Sequence, residues 1–217
     1  MLSPYHQFLY YKYRNFTMIP QSVFVGNLHL VRRYAPEAGA IVECGVWRGG
    51  MSAATAEILG REREYFLFDS FDGLPKAQEI DGPDALAWQK DTRSPTYFDN
   101  CKAEFEQARR AMTMSGALKF QIIKGWFSET LPTYPRTKGI AVLRLDGDWY
   151  DSTMECLDNL FSLVVDGGLV IIDDYYAWDG CARAVHDFLA RTASTSRLRQ
   201  SGAGVCFIIK TPDRKID

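Results

Sequence analysis

The chain has 217 residues, 47% of them apolar and 24% charged, with a formal net charge of −2. That length supports one domain with a large core, and the near-neutral balance gives no electrostatic reason to expect a nucleic-acid partner. No apolar run approaches the roughly 20 residues that cross a bilayer, so no membrane partner is expected either.

Residues 1–39 read as a helical, irregular N-terminal segment punctuated by Pro4 and Pro20. Within it, residues 5–16 are aromatic-rich, with Lys12 and Arg14 interleaved. A helix packed on the domain, on a second subunit or over an active site accounts for that pattern better than a membrane or nucleic-acid surface. Residues 22–34 suit a second helix. A short buried strand is expected at 40–44, a glycine turn at 45–50 and a helix at 51–59. The second strand is 65–69. The polar stretch 72–100 carries Pro75, Pro83 and Pro95. A weakly structured segment of that length usually has a function, often as a lid or binding loop. Residues 101–112 read as a helix with acidic residues early and Arg109 and Arg110 late, matching the helix dipole.

The third strand is expected at 118–123, a loop or short helix at 125–132 and the fourth strand at 140–145. Helix 152–163, strand 168–172 and helix 180–191 follow. Residues 194–204 read as a polar connection before a final strand at 205–210. Strands alternating with helices imply an α/β domain, 1–217, with a mostly parallel sheet covered by helices on both faces. The five cysteines show no CxxC pair and no zinc spacing, which suits a reducing compartment. The N-terminus lacks a basic region followed by an apolar core, so a cytoplasmic protein is expected.

The chemistry concentrates where strands end. Ile140-Ala-Val-Leu-Arg-Leu-Asp146 and Gly168-Leu-Val-Ile-Ile-Asp173-Asp174 are apolar runs ending in carboxylates. In a parallel sheet Asp146, Asp173 and Asp174 fall at one carboxyl edge, where open α/β sheets bind ligands. Exposed on loop tips they are costly unless a cation or hydrogen bonds meet them. Their hard oxygens suit Mg²⁺ or Mn²⁺.

Glu43-Cys-Gly45-Val-Trp-Arg-Gly49-Gly50 follows the first strand and opens a helix. It is neither the dinucleotide fingerprint nor a phosphate-binding loop. Glu43 suits a cationic or hydrogen-bond-donating ligand such as S-adenosylmethionine, or it is a glutamate on a structural turn. Asp69 ends the second strand, where an acidic side chain can accept from ribose hydroxyls or serve ordinary turn chemistry. Trp126 suits adenine stacking or the core. Asp148 is a candidate for its own loop or an acceptor pocket, and Asp151 for helix capping. Tyr175, Tyr176 and Trp178 could wall an acceptor or pack the following helix. Arg144, inside a strand, points to an interior salt bridge or a strand-end position rather than to catalysis. His6, His29 and His186 are the histidine alternatives for a general base.

Five blocks in order carry a family resemblance. They are Val42-Glu-Cys-Gly-Val-Trp-Arg-Gly-Gly50, Phe68-Asp-Ser-Phe-Asp-Gly-Leu-Pro75, Lys124-Gly-Trp-Phe-Ser-Glu-Thr-Leu-Pro132, Leu143-Arg-Leu-Asp-Gly-Asp-Trp-Tyr-Asp-Ser-Thr153 and Gly167-Gly-Leu-Val-Ile-Ile-Asp-Asp-Tyr175. The chain resembles the macrocin O-methyltransferases, class I S-adenosylmethionine-dependent enzymes that methylate sugar hydroxyls on antibiotics. The resemblance implies a Rossmann-like, mostly parallel seven-stranded sheet and a divalent metal, usually magnesium. It implies Asp146, Asp173 and Asp174 as metal carboxylates and Asp146 as a proposed general base. Glu43 and the turn from Gly45 to Gly49 match the methionine end of the cofactor. Asp69, with Ser70 beside it, matches the ribose end, and Trp126 the adenine end. The resemblance also implies an active-site lid at 76–100. The implied substrate is a glycoside or polyol, and homo-oligomer formation stays open. A catechol methyltransferase, a metal-dependent hydrolase and a noncatalytic S-adenosylmethionine-binding module are the alternatives.

Overall fold

The computed structural model describes residues 3–212. Its strands are β1 (Ala40–Cys44), β2 (Glu64–Asp69), β3 (Lys119–Lys124), β4 (Ile140–Leu145), β5 (Val164–Ile172), β6 (Leu198–Gln200) and β7 (Cys206–Ile209). They form a seven-stranded sheet in the order β3-β2-β1-β4-β5-β7-β6. β1 to β5 pair in parallel, and β7 lies antiparallel between β5 and β6. The helices are α1 (Pro4–Tyr13), α2 (Gln21–Tyr34), α3 (Gly50–Leu59), α4 (Pro83–Lys90), α5 (Phe105–Ser115), α6 (Tyr150–Leu160) and α7 (Asp179–Arg191).

The central strands read as unbroken apolar runs because both faces of the sheet are covered. Ile41, Tyr65, Leu67, Val142 and Ile171 face α1, α2, α3 and α5. Their neighbours Val42, Phe66, Phe68, Leu143 and Val170 face α6 and α7. The chain fills β1, β2 and β3 outward, then crosses back to place β4 on the other side of β1. That reversal is a topological switch point, and it opens a crevice between the carboxyl ends of β1 and β4.

Three sequence expectations change in detail. The 194–204 connection contains β6, a three-residue edge strand pairing Leu198 with Ile208, and an edge tolerates its polar residues. The helix expected from Cys101 begins at Phe105, after a capping box between Glu104 and Gln107. It starts late because Phe98, Asp99, Asn100 and Cys101 hold φ values of 49°, 52°, 55° and 61°. Left-handed backbone cannot continue into a right-handed helix, and four such non-glycine residues in succession store strain. The 72–100 stretch is more ordered than its composition suggests. It contains α4, whose Ala85 is buried and whose Trp88 packs on Trp149 and Trp178.

Candidate active site at the β1–β4 crevice

A cavity of about 590 Å³ opens at the crevice, within the size range of small-molecule sites. Glu43, Gly45, Asp69, Ser70, Trp126, Asp146, Asp173 and Asp174 all line it. Gly49 does not: a side chain there would meet the Ala108 backbone of α5 at 2.9 Å, so its place is a helix contact.

On the β1–β2 side the polar groups are engaged by the chain itself. Asp69 Oδ2 accepts from the backbone N–H of Val46 at 2.6 Å and of Trp47 at 2.7 Å. Its Oδ1 accepts from Phe71 N–H at 2.7 Å. Burial pushes the Asp69 pKa up, and these three bonds pull it back. Asp69 thus fastens the glycine turn to the end of β2. Ser70 Oγ donates to Gly73 O at 2.9 Å and closes its own turn. Gly45 has φ 86°, and a Cβ there would sit 1.7 Å from the Asp146 carbonyl oxygen. The neighbouring strand, before any ligand, requires glycine at that position. Trp126 stands at the mouth with 39% of its surface exposed. An exposed indole lining a cavity fits a stacking role and excludes the core alternative.

The β4–β5 side is electrostatically different. One ligand oxygen each from Asp146, Asp173 and Asp174 can be chosen so that all lie within 4.8 Å of one another. Arg144, 4% exposed, sits beneath them. Its Nη1 reaches Glu43 Oε1 and Asp146 Oδ2, each at 2.7 Å, and its Nη2 lies 3.0 Å from Asp173 Oδ2. β1 and β4 are in register at Glu43 and Arg144, so both side chains leave the same face of the sheet. Glu43 also accepts a hydrogen bond from Ser52 of α3. Asn27 of α2 donates to Asp173 Oδ1 at 3.2 Å.

Burial drives the pKa values of Glu43, Asp146, Asp148 and Asp174 upward. Glu43 is pushed up to about 7 by burial, against the pull of Arg144 and Ser52. Asp146 is pushed up to about 6 by burial and by Asp173, with Arg144 opposing. Asp148 rises to about 7 through burial and the Asp146 charge. Asp174 is raised well above its ordinary value by burial and by Asp148, Asp146 and Asp173. For Arg144 itself burial disfavours the charge, yet Asp146, Asp173 and Glu43 hold its pKa well above normal. Three adjoining all-oxygen donors with excess negative charge fit a hard divalent cation such as Mg²⁺ or Mn²⁺.

The remaining wall comes from two segments outside the sheet. Phe16 to Pro20, between α1 and α2, and Val23 in the first turn of α2 cover one side. Trp88, Thr96, Phe98 and Cys101 cover another, with Trp178 and Asp148 between them and the carboxylates. Asp148, at φ 59°, donates its N–H to Asp174 Oδ2 at 3.0 Å and accepts from Trp178 Nε1 at 2.8 Å. The tyrosines after Asp174 divide from Trp178: Tyr175 bonds His186 beside α7, whereas Trp178 lines the cavity. Asp151 lies in the first turn of α6 and accepts from Gln78 at 2.6 Å rather than capping the helix. Asp81 reaches that helix end instead, accepting from Tyr150 N–H at 2.7 Å. None of the three histidines lines the cavity. His6 is buried near Arg32 and His29, which with burial lower its pKa.

Sequence reading placed Arg144 in a salt bridge but missed its three acidic partners, and it missed Asn27, Ser52 and Asp81. One signal was available: opposite charges on two otherwise apolar strands, Glu43 and Arg144, can only be buried as a pair.

The sequence and the fold are similar to those of known proteins. The family model described as "Macrocin-O-methyltransferase (TylF)" matches residues 27–206. A Streptomyces olivaceus protein named 8-demethyl-8-(2,3-dimethoxy-alpha-L-rhamnosyl)-tetracenomycin-C 4'-O-methyltransferase is 38% identical over 174 residues, covering 77% of this chain and 64% of that protein. A Streptomyces niveus demethyldecarbamoylnovobiocin O-methyltransferase is 37% identical over 159 residues, covering 70% of this chain and 59% of that protein. The chain therefore spans about three-fifths of the length of these relatives. The solved structure of the O-methyltransferase NovP superposes with a TM-score of 0.72 at 31% identity, covering 90% of this chain and 82% of that one. The calicheamicin methyltransferase CalS11 shares the fold, with a TM-score of 0.65 at 20% identity, covering 97% of this chain and 94% of that one. With the family model covering both halves of the crevice, the chain belongs to the macrocin O-methyltransferase family.

Proposed function

We propose that this chain methylates a hydroxyl of a sugar or glycosylated secondary metabolite, using S-adenosylmethionine and Mg²⁺, as a step in antibiotic-type biosynthesis. One observation carries the reading: Asp146, Asp173 and Asp174 converge on the same cavity that Asp69 and Trp126 line. The relatives support the acceptor class, since one is named for methylating a rhamnosyl compound. A hydrolase would have no use for the exposed indole and the Asp69-fastened turn on the opposite wall.

In this reading the turn at Gly45, with Glu43 beneath it, receives the methionine end of the cofactor. Asp69 and Ser70 lie at the ribose end, where Oδ1 of Asp69 keeps a lone pair beyond its one backbone bond, while Oδ2 is filled by the N–H groups of Val46 and Trp47. Trp126 stacks on the adenine. Asp146, Asp173 and Asp174 hold the metal. When bound, the ion supplies Lewis acidity toward an acceptor hydroxyl, and the cofactor supplies an electrophilic methyl group. Arg144 holds Asp146 Oδ2, so Asp146 would take the acceptor's proton through Oδ1 only where that oxygen stays free of tight metal coordination. With no histidine on the cavity wall, a carboxylate is the base. Trp88, Trp178 and Asp148 form the acceptor wall, flat apolar faces beside a hydrogen-bond acceptor, which suits a sugar ring.

The lid reading of 76–100 sharpens. Asp81, Gln89 and Trp88 dock its first part, Gln89 donating to Pro75 O at 2.8 Å. Opening would therefore fall to the largely exposed stretch 91–95, since Thr96 and Asn100 are bonded back to Trp88 and Leu74. Residues 16–23 would act as the opposite cover. A cytoplasmic setting accords with five free cysteines.

The test is transfer of a radiolabelled methyl group to glycosides, free sugars and catechols. Label on the sugar is expected, lost with EDTA and restored by Mg²⁺. Asp173→Asn should lower turnover by at least about a hundredfold while changing cofactor affinity little. Exclusive labelling of a catechol would overturn the sugar assignment, and full activity without metal would overturn the metal role.

A further inference from the structure

We propose that Arg144 is the resident counter-cation of the carboxylate site, holding Asp146 and Asp173 in place and competing with a divalent ion for their charge. The inference rests on the metal reading of those aspartates given above. Its grounds are the arrangement beneath them. A single Nη1 is shared between Glu43 and Asp146 at 2.7 Å each. Nη2 lies 3.0 Å from Asp173, but it is not aligned as a hydrogen bond and is buried without another partner. Nε is 3.4 Å from Asn27 Oδ1. One guanidinium is thus spread over three carboxylates and saturates none of them. Among the described residues no other cation pairs with Asp146 or Asp173.

A planar fork with several donors can bridge one acid on a strand and two just past strand ends, which a lysine ammonium cannot do at the same reach. Buried charges without partners are strongly destabilising, so the metal-free fold needs this arginine. The same contact sets a penalty on metal binding. A divalent ion drawing on Asp146 and Asp173 must weaken their hold on Arg144. Two consequences follow for Arg144. It keeps the empty site folded and its ligands oriented, and it keeps metal affinity modest and exchangeable. It also assigns Glu43 a place in the ion-pair network beneath the cavity, anchored from the other side by Ser52.

The prediction is opposite in sign to that for a residue that only supports the metal ligands. Mn²⁺ alone, titrated into the whole chain at fixed pH and followed by electron paramagnetic resonance, measures the affinity directly. Arg144→Met, which removes the charge at similar volume, should bind Mn²⁺ at least about tenfold tighter than wild type. Its melting temperature should also rise with Mn²⁺ far more than the wild type's. Arg144→Lys should fall between the two. If Arg144→Met is unfolded without metal, saturating Mn²⁺ should restore its folded signal, and Arg144→Lys still reports the affinity. Wild-type binding with equal or weaker affinity in both variants would overturn the inference and leave the metal reading standing. Absence of Mn²⁺ binding in all three proteins would sink the metal reading, and the inference with it.

Discussion

The two walls of the crevice handle polar groups in opposite ways. On the β1–β2 side every acceptor is already engaged: Asp69 by three backbone N–H groups and Ser70 by its own turn. On the β4–β5 side carboxylates outnumber the charge available, with Asp146 and Asp173 sharing Arg144 with Glu43 of the neighbouring β1. The first wall is a preformed cradle, rigid whether or not a ligand is present. The second is held in electrostatic deficit and gains from a bound cation. Stability should therefore live on one wall and reactivity on the other. Mutations that respect this division sharpen the contrast, and mutations that cross it break it.

The largest stability effect is expected on the cradle. Gly45→Ala combines a left-handed backbone with a Cβ 1.7 Å from the Asp146 carbonyl. The clash is with backbone, which cannot rotate away, so a loss of about 3–5 kcal/mol is expected in urea unfolding. A loss below about 1 kcal/mol would mean that the strands separate easily and the cradle is not rigid. Asp69→Ala comes next. It leaves the N–H groups of Val46, Trp47 and Phe71 without their acceptor, at a cost of about 2–3 kcal/mol. Cofactor affinity should fall with it, since the turn loosens. Lost affinity with unchanged stability would make Asp69 a ligand contact alone and remove its role as a fastener.

Much of this division was legible in the sequence. Apolar runs ending in Asp146 and in Asp173-Asp174 located the reactive wall, because strand polarity fixes which end of each strand meets the crevice. The glycine turn after β1 was equally visible, but the reason for its glycines was not. Gly45 and Gly49 answer to the Asp146 carbonyl and to Ala108, residues far away in the chain. Arg144 read as an interior ion pair, yet its sharing among Glu43, Asp146 and Asp173 depends on strand register, which no local pattern encodes. The short β6 escaped because three residues carry too little periodicity, and its edge position removes the apolar signal. The left-handed turn at Phe98–Cys101 escaped because none of its residues is glycine.

The smallest effect carries the sharpest sign. Glu43, Asp146 and Asp148, raised to about 7, 6 and 7, and Asp174, raised well above its ordinary value by burial, hold protons in the metal-free fold that they release when unfolded. An acid whose folded pKa is raised stabilises below its unfolded value and loses that contribution as pH climbs toward the folded value. Metal-free stability from these groups should therefore decline from about pH 4.5 to about pH 7. His6 works in the opposite sense, because burial lowers its pKa and charging it at low pH destabilises the fold. The informative quantity is thus the difference between wild type and Asp174→Asn. Asparagine keeps an acceptor for the Asp148 N–H but removes one acid from the crowded wall. It should raise the metal-free melting temperature at pH 7.5 by about 2–4 °C, with no gain at pH 4.5. Mg²⁺ should erase much of that gain, since the ion relieves in wild type the same repulsion that the substitution removes. A variant less stable than wild type at both pH values would place Asp174 among the fasteners. The reactive wall would then be a second cradle, and the contrast between the two sides of the crevice would fail.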